Sequence, residues 1–162
     1  MSLSLDFSID HSISPEDLLS LVLQEPQLKL AQIGPLKWRE DEEGLPSIVE
    51  TEVILPSYDV VIVVYAEDER CREIRFDLLG ADLRISLSIL FGGEADVIEF
   101  YQIYASLLNK LGGDALISFN GASPLLLRRD GVITIERDTS YCTDASLRAL
   151  LPPPIIEGKI PW

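Results

Sequence analysis

The sequence predicts an α+β domain: an antiparallel β-sheet with one long helix and one or two shorter helices packed mainly on one face. Three observations predict it. Runs such as Leu3-Ser4-Leu5-Asp6-Phe7 and Leu83–Phe91 alternate apolar and polar residues, the mark of a strand with one buried face. One segment, Glu94–Leu111, instead carries Val97, Tyr101, Tyr104, Leu108 and Leu111 at helical spacing. The strand patterns come in runs joined by tight-turn dipeptides such as Asn120-Gly121 and Asp130-Gly131, which favours antiparallel pairing.

The elements follow in order. Leu3, Leu5, Phe7 and Ile9 form the first strand. Ser14-Pro15-Glu16-Asp17 then opens a helix to about Gln24, because Ser14 can accept from free first-turn amides, Pro15 suits the first helical position, and two carboxylates meet the positive end of the dipole. Pro26 stops it. Leu28–Ile33 alternates weakly before Gly34-Pro35, and Arg39–Gly44 reads as a charged turn. Ile48–Leu55 is a strand, Pro56–Asp59 a turn, and Val60–Tyr65 a β-branched run suited to a central strand covered on both faces.

Glu67-Asp68-Glu69 reads as an acidic tip, and Ile74, Phe76 and Leu78 as a further alternating strand. Leu83–Phe91 is another, ended by Gly92-Gly93. After the long helix, Gly112-Gly113 provides the stop. Ala115–Phe119, Leu125–Arg129 and Val132–Ile135 form a meander, and Thr143 caps a short helix from Asp144 to Leu151. Pro152-Pro153-Pro154 ends regular structure. The expected organisation is one domain over 1–162, with 152–162 a Pro-rich extended tail.

Composition narrows the function. At 162 residues the chain buries about 70% of its unfolded surface, enough for an ordinary core. The net charge is −14, which disfavours nucleic acid and anionic membrane as partners. The longest near-apolar run, Val60–Ala66, falls far short of the ~20 residues a membrane helix needs. The N-terminus lacks the basic and apolar regions of a secretory signal, so a cytoplasmic location is expected. Cys71 and Cys142 read as reduced, inert thiols. The one histidine, His11, sits in an apparent turn, and no Gly-rich phosphate loop or His/Cys metal spacing is present. No catalytic centre, metal or cofactor is therefore expected.

Acid is concentrated in one stretch. Between Glu40 and Glu73 there are eleven acids against Arg70 and Arg72, a local excess of nine negative charges. Such a segment is either a solubilising face or a steering surface for a basic partner. On the second reading the candidate partner-binding residues are Glu42, Glu43, Glu67 and Glu69, with Trp38 and Tyr58 as aromatic anchors. Arg128-Arg129 reads as a strand-end pair, facing solvent or pairing across the sheet.

Leu107-Leu108-Asn109-Lys110-Leu111-Gly112-Gly113-Asp114-Ala115-Leu116-Ile117-Ser118-Phe119-Asn120-Gly121, followed by Leu125-Leu126-Leu127-Arg128-Arg129-Asp130-Gly131, carries a resemblance. A Leu-rich helix, Gly-Asp-Ala, an apolar strand, Phe-Asn-Gly and a Leu-and-Arg strand closing on Gly resemble the bacterial Sit-type immunity family. The match lies mainly over residues 94–131. The opening strand and the Ser-Pro-Glu-Asp helix start resemble the beginning of that family. The resemblance implies a non-enzymatic binding protein that neutralises a cognate toxin by protein–protein occlusion. It implies no catalytic residues. The alternatives are a housekeeping interaction module or a homodimer formed through a sheet edge or the tail, and then an enzyme using paired carboxylates.

Overall fold

The computed structural model describes residues 2–40 and 46–162. Among them, ten strands form one sheet flanked by five α-helices. In chain order these are β1 (Leu3–Ile9), α1 (Pro15–Leu23), β2 (Gln32–Ile33), β3 (Lys37–Glu40), β4 (Pro46–Ile54), β5 (Asp59–Ala66), α2 (Glu69–Leu79), β6 (Ile85–Phe91), α3 (Val97–Lys110), β7 (Ala115–Phe119), β8 (Ser123–Arg129), β9 (Val132–Glu136), α4 (Ser140–Thr143), α5 (Ala145–Ala149) and β10 (Ile155–Gly158). The strand order is β10-β9-β8-β7-β1-β6-β5-β4-β2, with β3 also pairing β4. The one parallel pair is β10 with β9. The α+β class is as the sequence predicts.

Alternation decides which face is core. Leu5, Phe7 and Ile9 of β1, Ile85, Leu87, Ile89 and Phe91 of β6, and Val60, Ile62 and Val64 of β5 share one face. Leu18, Leu19 and Val22 of α1 and Phe100, Ile103, Tyr104 and Leu107 of α3 cover it, all essentially without exposure. Ser14 caps α1 by accepting from the Asp17 amide at 3.1 Å. Asp96, not Glu94, begins α3, because its carboxylate accepts from the Ile98 amide. Tyr104, fully buried, donates its hydroxyl to the Leu5 carbonyl and so pins α3 to the central strand.

Residues of the 113–129 segment hold this frame together. Arg128 does not face solvent. It is 6% exposed, and its guanidinium donates to the carbonyls of Leu108, Leu111 and Gly113 at 2.6–2.7 Å, closing the C-terminal end of α3. Gly113 is required there, since a Cβ would lie 2.2 Å from the Asp10 carbonyl oxygen, at φ +100°. Asn120 accepts from the Ser4 amide and returns its own amide to the Ser4 carbonyl, locking the β7–β8 turn onto β1. Arg129 donates to the Leu79 carbonyl at the end of α2.

Four other expectations change, the first being Val60–Tyr65, which is covered on one face and keeps Val61, Val63 and Tyr65 partly exposed on the other. Ile74, Phe76 and Leu78 lie on a helix, α2, and not on a strand. Asp144, not Thr143, caps α5. Residues 155–158 of the expected tail join the sheet as β10, and Ile160 beyond them is buried. At the opposite edge β3 presents Lys37, Arg39 and Glu40, all exposed, and charge along an edge strand discourages further pairing. Among the described residues no helix is long and apolar enough to cross a membrane.

Candidate partner-binding surface

The six residues expected to meet a partner do not form one patch. Glu42 and Glu43 lie outside the described residues. Trp38 is 43% exposed on β3, directly opposite Val49, and therefore shares the side of the sheet that α1 and α3 cover. Tyr58 is on that side as well. Its hydroxyl donates to Glu99 of α3 at 2.9 Å and its ring meets Phe100 edge-on. Burial, then the Glu99 carboxylate, push its phenol far above the ordinary range.

Glu67 lies apart from the other candidates. Its side chain is 4% exposed and turned inward, where it accepts from Arg75 at 2.6 Å and from the Ser86 hydroxyl. Ser86 in turn meets Ser8 at 2.6 Å. A carboxylate consumed in this way cannot steer an incoming protein. Glu69 alone of the described acidic candidates is exposed, and it belongs to α2.

Helix α2 forms because its ends are specified. Asp68 accepts from the Cys71 amide at 2.8 Å as N-cap, and Gly80 at φ +67° receives the C-terminal turn. The Asp68 hydrogen bonds hold its carboxyl below the usual range, the Cys71 amide contributing most. The inward-facing stripe of α2 is Arg72, Arg75 and Leu79, at spacings of three and four, and only Leu79 of the three is buried. Two of its three members are arginines, so no apolar helical period announces it in the sequence. The signal that could have revealed the helix is the Asp68…Gly80 bracket.

Inward, Arg75 reaches Glu67 and Arg72 pairs with Asp82 through two contacts of 2.8 Å. The Arg72 guanidinium is the main reason that the Asp82 carboxyl sits below its ordinary value. Outward, Glu69, Glu73 and Asp77 follow one another at i, i+4 and i+8. None forms an ion pair among the described residues. Ile74, Phe76 and Leu78 accompany them at 51%, 54% and 48% exposure. Phe76 lines an open groove of about 620 Å³ with Glu69, Arg72, Glu73, Asp77 and Asp82. The outer surface of α2 therefore combines a net negative charge, three carboxylates against Arg70, with large apolar side chains, the two ingredients of a protein-recognition surface.

No family model matches the chain, and no curated protein or solved structure matches it.

Proposed function

We propose that the chain is a non-enzymatic, cytoplasmic binding protein of the immunity kind, which neutralises a basic toxin by covering it. The observation that carries this reading is the outer surface of α2. Two of the three helix arginines, Arg72 and Arg75, are spent on Asp82 and Glu67, so the outer surface carries Glu69, Glu73 and Asp77 against Arg70 alone, with exposed Ile74, Phe76 and Leu78. Three exposed large apolar residues on an eleven-residue helix are unusual where nothing is bound, since burial of each is worth about 1.5–3 kcal/mol. Charge supplies the encounter and Phe76 the anchor.

The test uses the protein encoded beside this chain as partner and measures association and dissociation. Reversing Glu69, Glu73 and Asp77 together to Lys should slow association ten-fold or more at low ionic strength. The difference should shrink as the Debye length falls from ~30 Å at 0.01 M to ~8 Å at 0.15 M. Phe76→Ala should instead speed dissociation. Trp38→Ala is the control, because β3 lies three strands from β6, about 14 Å at ~4.8 Å per strand, and its indole is on the other side of the sheet. An association rate and salt dependence unchanged by the triple reversal would overturn the proposal.

A further inference from the structure

The second face of the sheet is only half covered. Helix α2 runs across the strands over one row of residues. Arg75 sits on Ser8 and Ser86, and Leu79 joins Leu116, Leu127 and Ile160 in a small second core. Beyond that row the register defines two more. One reads Glu50–Val63–Ser88–Asp6 across β4, β5, β6 and β1, and the next reads Glu52–Val61–Leu90–Ser4. Val61, Val63 and Leu90 are partly exposed and belong to neither apolar core, and Ile54 at the end of β4 is 44% exposed.

Helix α2 supplies a wall to this floor. With Arg72, Arg75 and Leu79 on the sheet, 100° per residue places Glu69, Glu73 and Phe76 on one flank and Ile74 and Leu78 on the other. The first flank lies beside Asp82, at the strand ends where Arg84 donates to the Ile9 carbonyl. The Ile74 and Leu78 flank is therefore turned toward the Glu50–Val63–Ser88–Asp6 row, in which Val63 is partly exposed and Ser88 is buried. Charge frames the apolar strip. Glu50, Glu52, Asp59 and Asp6 stand around it against Lys37 and Arg39, and Arg39 is bound to Glu50 at 2.7 Å. Asp6 already accepts from Ser4, Ser88 and the Gly121 amide, which fixes its carboxylate at the inner border.

We infer that this ledge, with Val61, Val63 and Leu90 as its floor and Ile74 and Leu78 as its wall, seats an amphipathic basic segment of a partner protein. An apolar ridge fills the strip while Lys or Arg side chains on its borders meet the exposed Glu52 and Asp59. The inference rests on the reading of the chain as a binder of basic protein, and adds a second contact for the partner beyond the outer surface of α2.

The probe is a synthetic 14-residue amphipathic Leu/Lys peptide, with a Leu/Glu peptide of the same pattern as control. Amide NMR shifts of the intact protein are followed during titration at low salt. The expected result is saturable binding of the Leu/Lys peptide, with shifts concentrated in 50–54, 59–63 and 88–90 and in Ile74 and Leu78, and none with Leu/Glu. Val61→Lys and Leu90→Lys should each weaken binding ten-fold or more while retaining a dispersed spectrum. Binding that maps instead to Glu69, Glu73 and Phe76, unaffected by either lysine, would overturn the ledge and leave the wider reading standing. No binding of the Leu/Lys peptide at any site would overturn both.

Discussion

Replacing Arg128 by Met removes a guanidinium while keeping much of its volume, and the cost can be worked from its contacts. The side chain makes three charge-assisted hydrogen bonds, to Leu108, Leu111 and Gly113 carbonyls at the end of α3. Bonds to a charged group contribute about 1.5–3 kcal/mol each. Gly113 is exposed, so water can replace that bond, whereas Leu108 and Leu111 are buried. Two bonds therefore count in full, with a small addition from the positive charge at a helix C-terminus. Burial opposes this, since it pulls the Arg128 pKa down, and the net expectation is a loss of about 3–4 kcal/mol. Arg128→Lys should lose about 2, because one ammonium cannot reproduce the planar fork. Urea unfolding followed by circular dichroism should show a lower midpoint at an unchanged slope. An Arg128→Met protein within about 1 kcal/mol of the parent would refute the argument that this residue closes α3.

Other outcomes follow from the same geometry. Leu108→Ala, at a 2% exposed site under the sheet, should cost about 2–5 kcal/mol in the same assay. Glu67→Ala strands the Arg75 guanidinium, and because Arg75 is about a quarter exposed the cost should be ~2 kcal/mol rather than the larger penalty of a fully buried pair. All five tyrosines, Tyr58, Tyr65, Tyr101, Tyr104 and Tyr141, have phenols raised by burial above the ordinary value of ~10. The folded state is thus favoured fully below pH ~10 and loses that advantage as pH rises through the folded values. Absorbance at 295 nm should show little tyrosinate in native protein at pH 10 and a cooperative rise on alkaline unfolding. Asp82, held low by Arg72, has the opposite sign: its contribution is present above pH ~4 and lost as pH falls, so Asp82→Asn should flatten the acid limb of the stability curve.

The alternating strands and the long helix were legible because their buried residues are apolar and their periods unambiguous. Leu5, Phe7 and Ile9, and Tyr104 and Leu107, declare their faces without help. Helix α2 was not legible for the opposite reason. Two of its three inward-facing positions are partly exposed arginines, and Ile74, Phe76 and Leu78, which look like the inner side of a strand, are exposed. The same feature misled the placement of the acidic surface. Glu67 looked equivalent to Glu69 in sequence, yet one falls before the helix and turns under it while the other starts it. Arg128 was misjudged because its partners are backbone carbonyls, which no side-chain pattern reveals. The division of Trp38, Tyr58 and Glu69 between opposite sides of the sheet depends on strand order, which the spacing in residues 28–92 does not specify.

The most direct measurement of the proposed role is growth of cells expressing the product of the adjacent gene, with and without this chain, alongside the binding rates of the purified pair. Protection is predicted, with a salt-sensitive association rate, and is predicted to fail when Glu69, Glu73 and Asp77 are all reversed in a protein that still folds. Growth that stays arrested in the presence of the wild-type chain, with no complex at low salt, would contradict it.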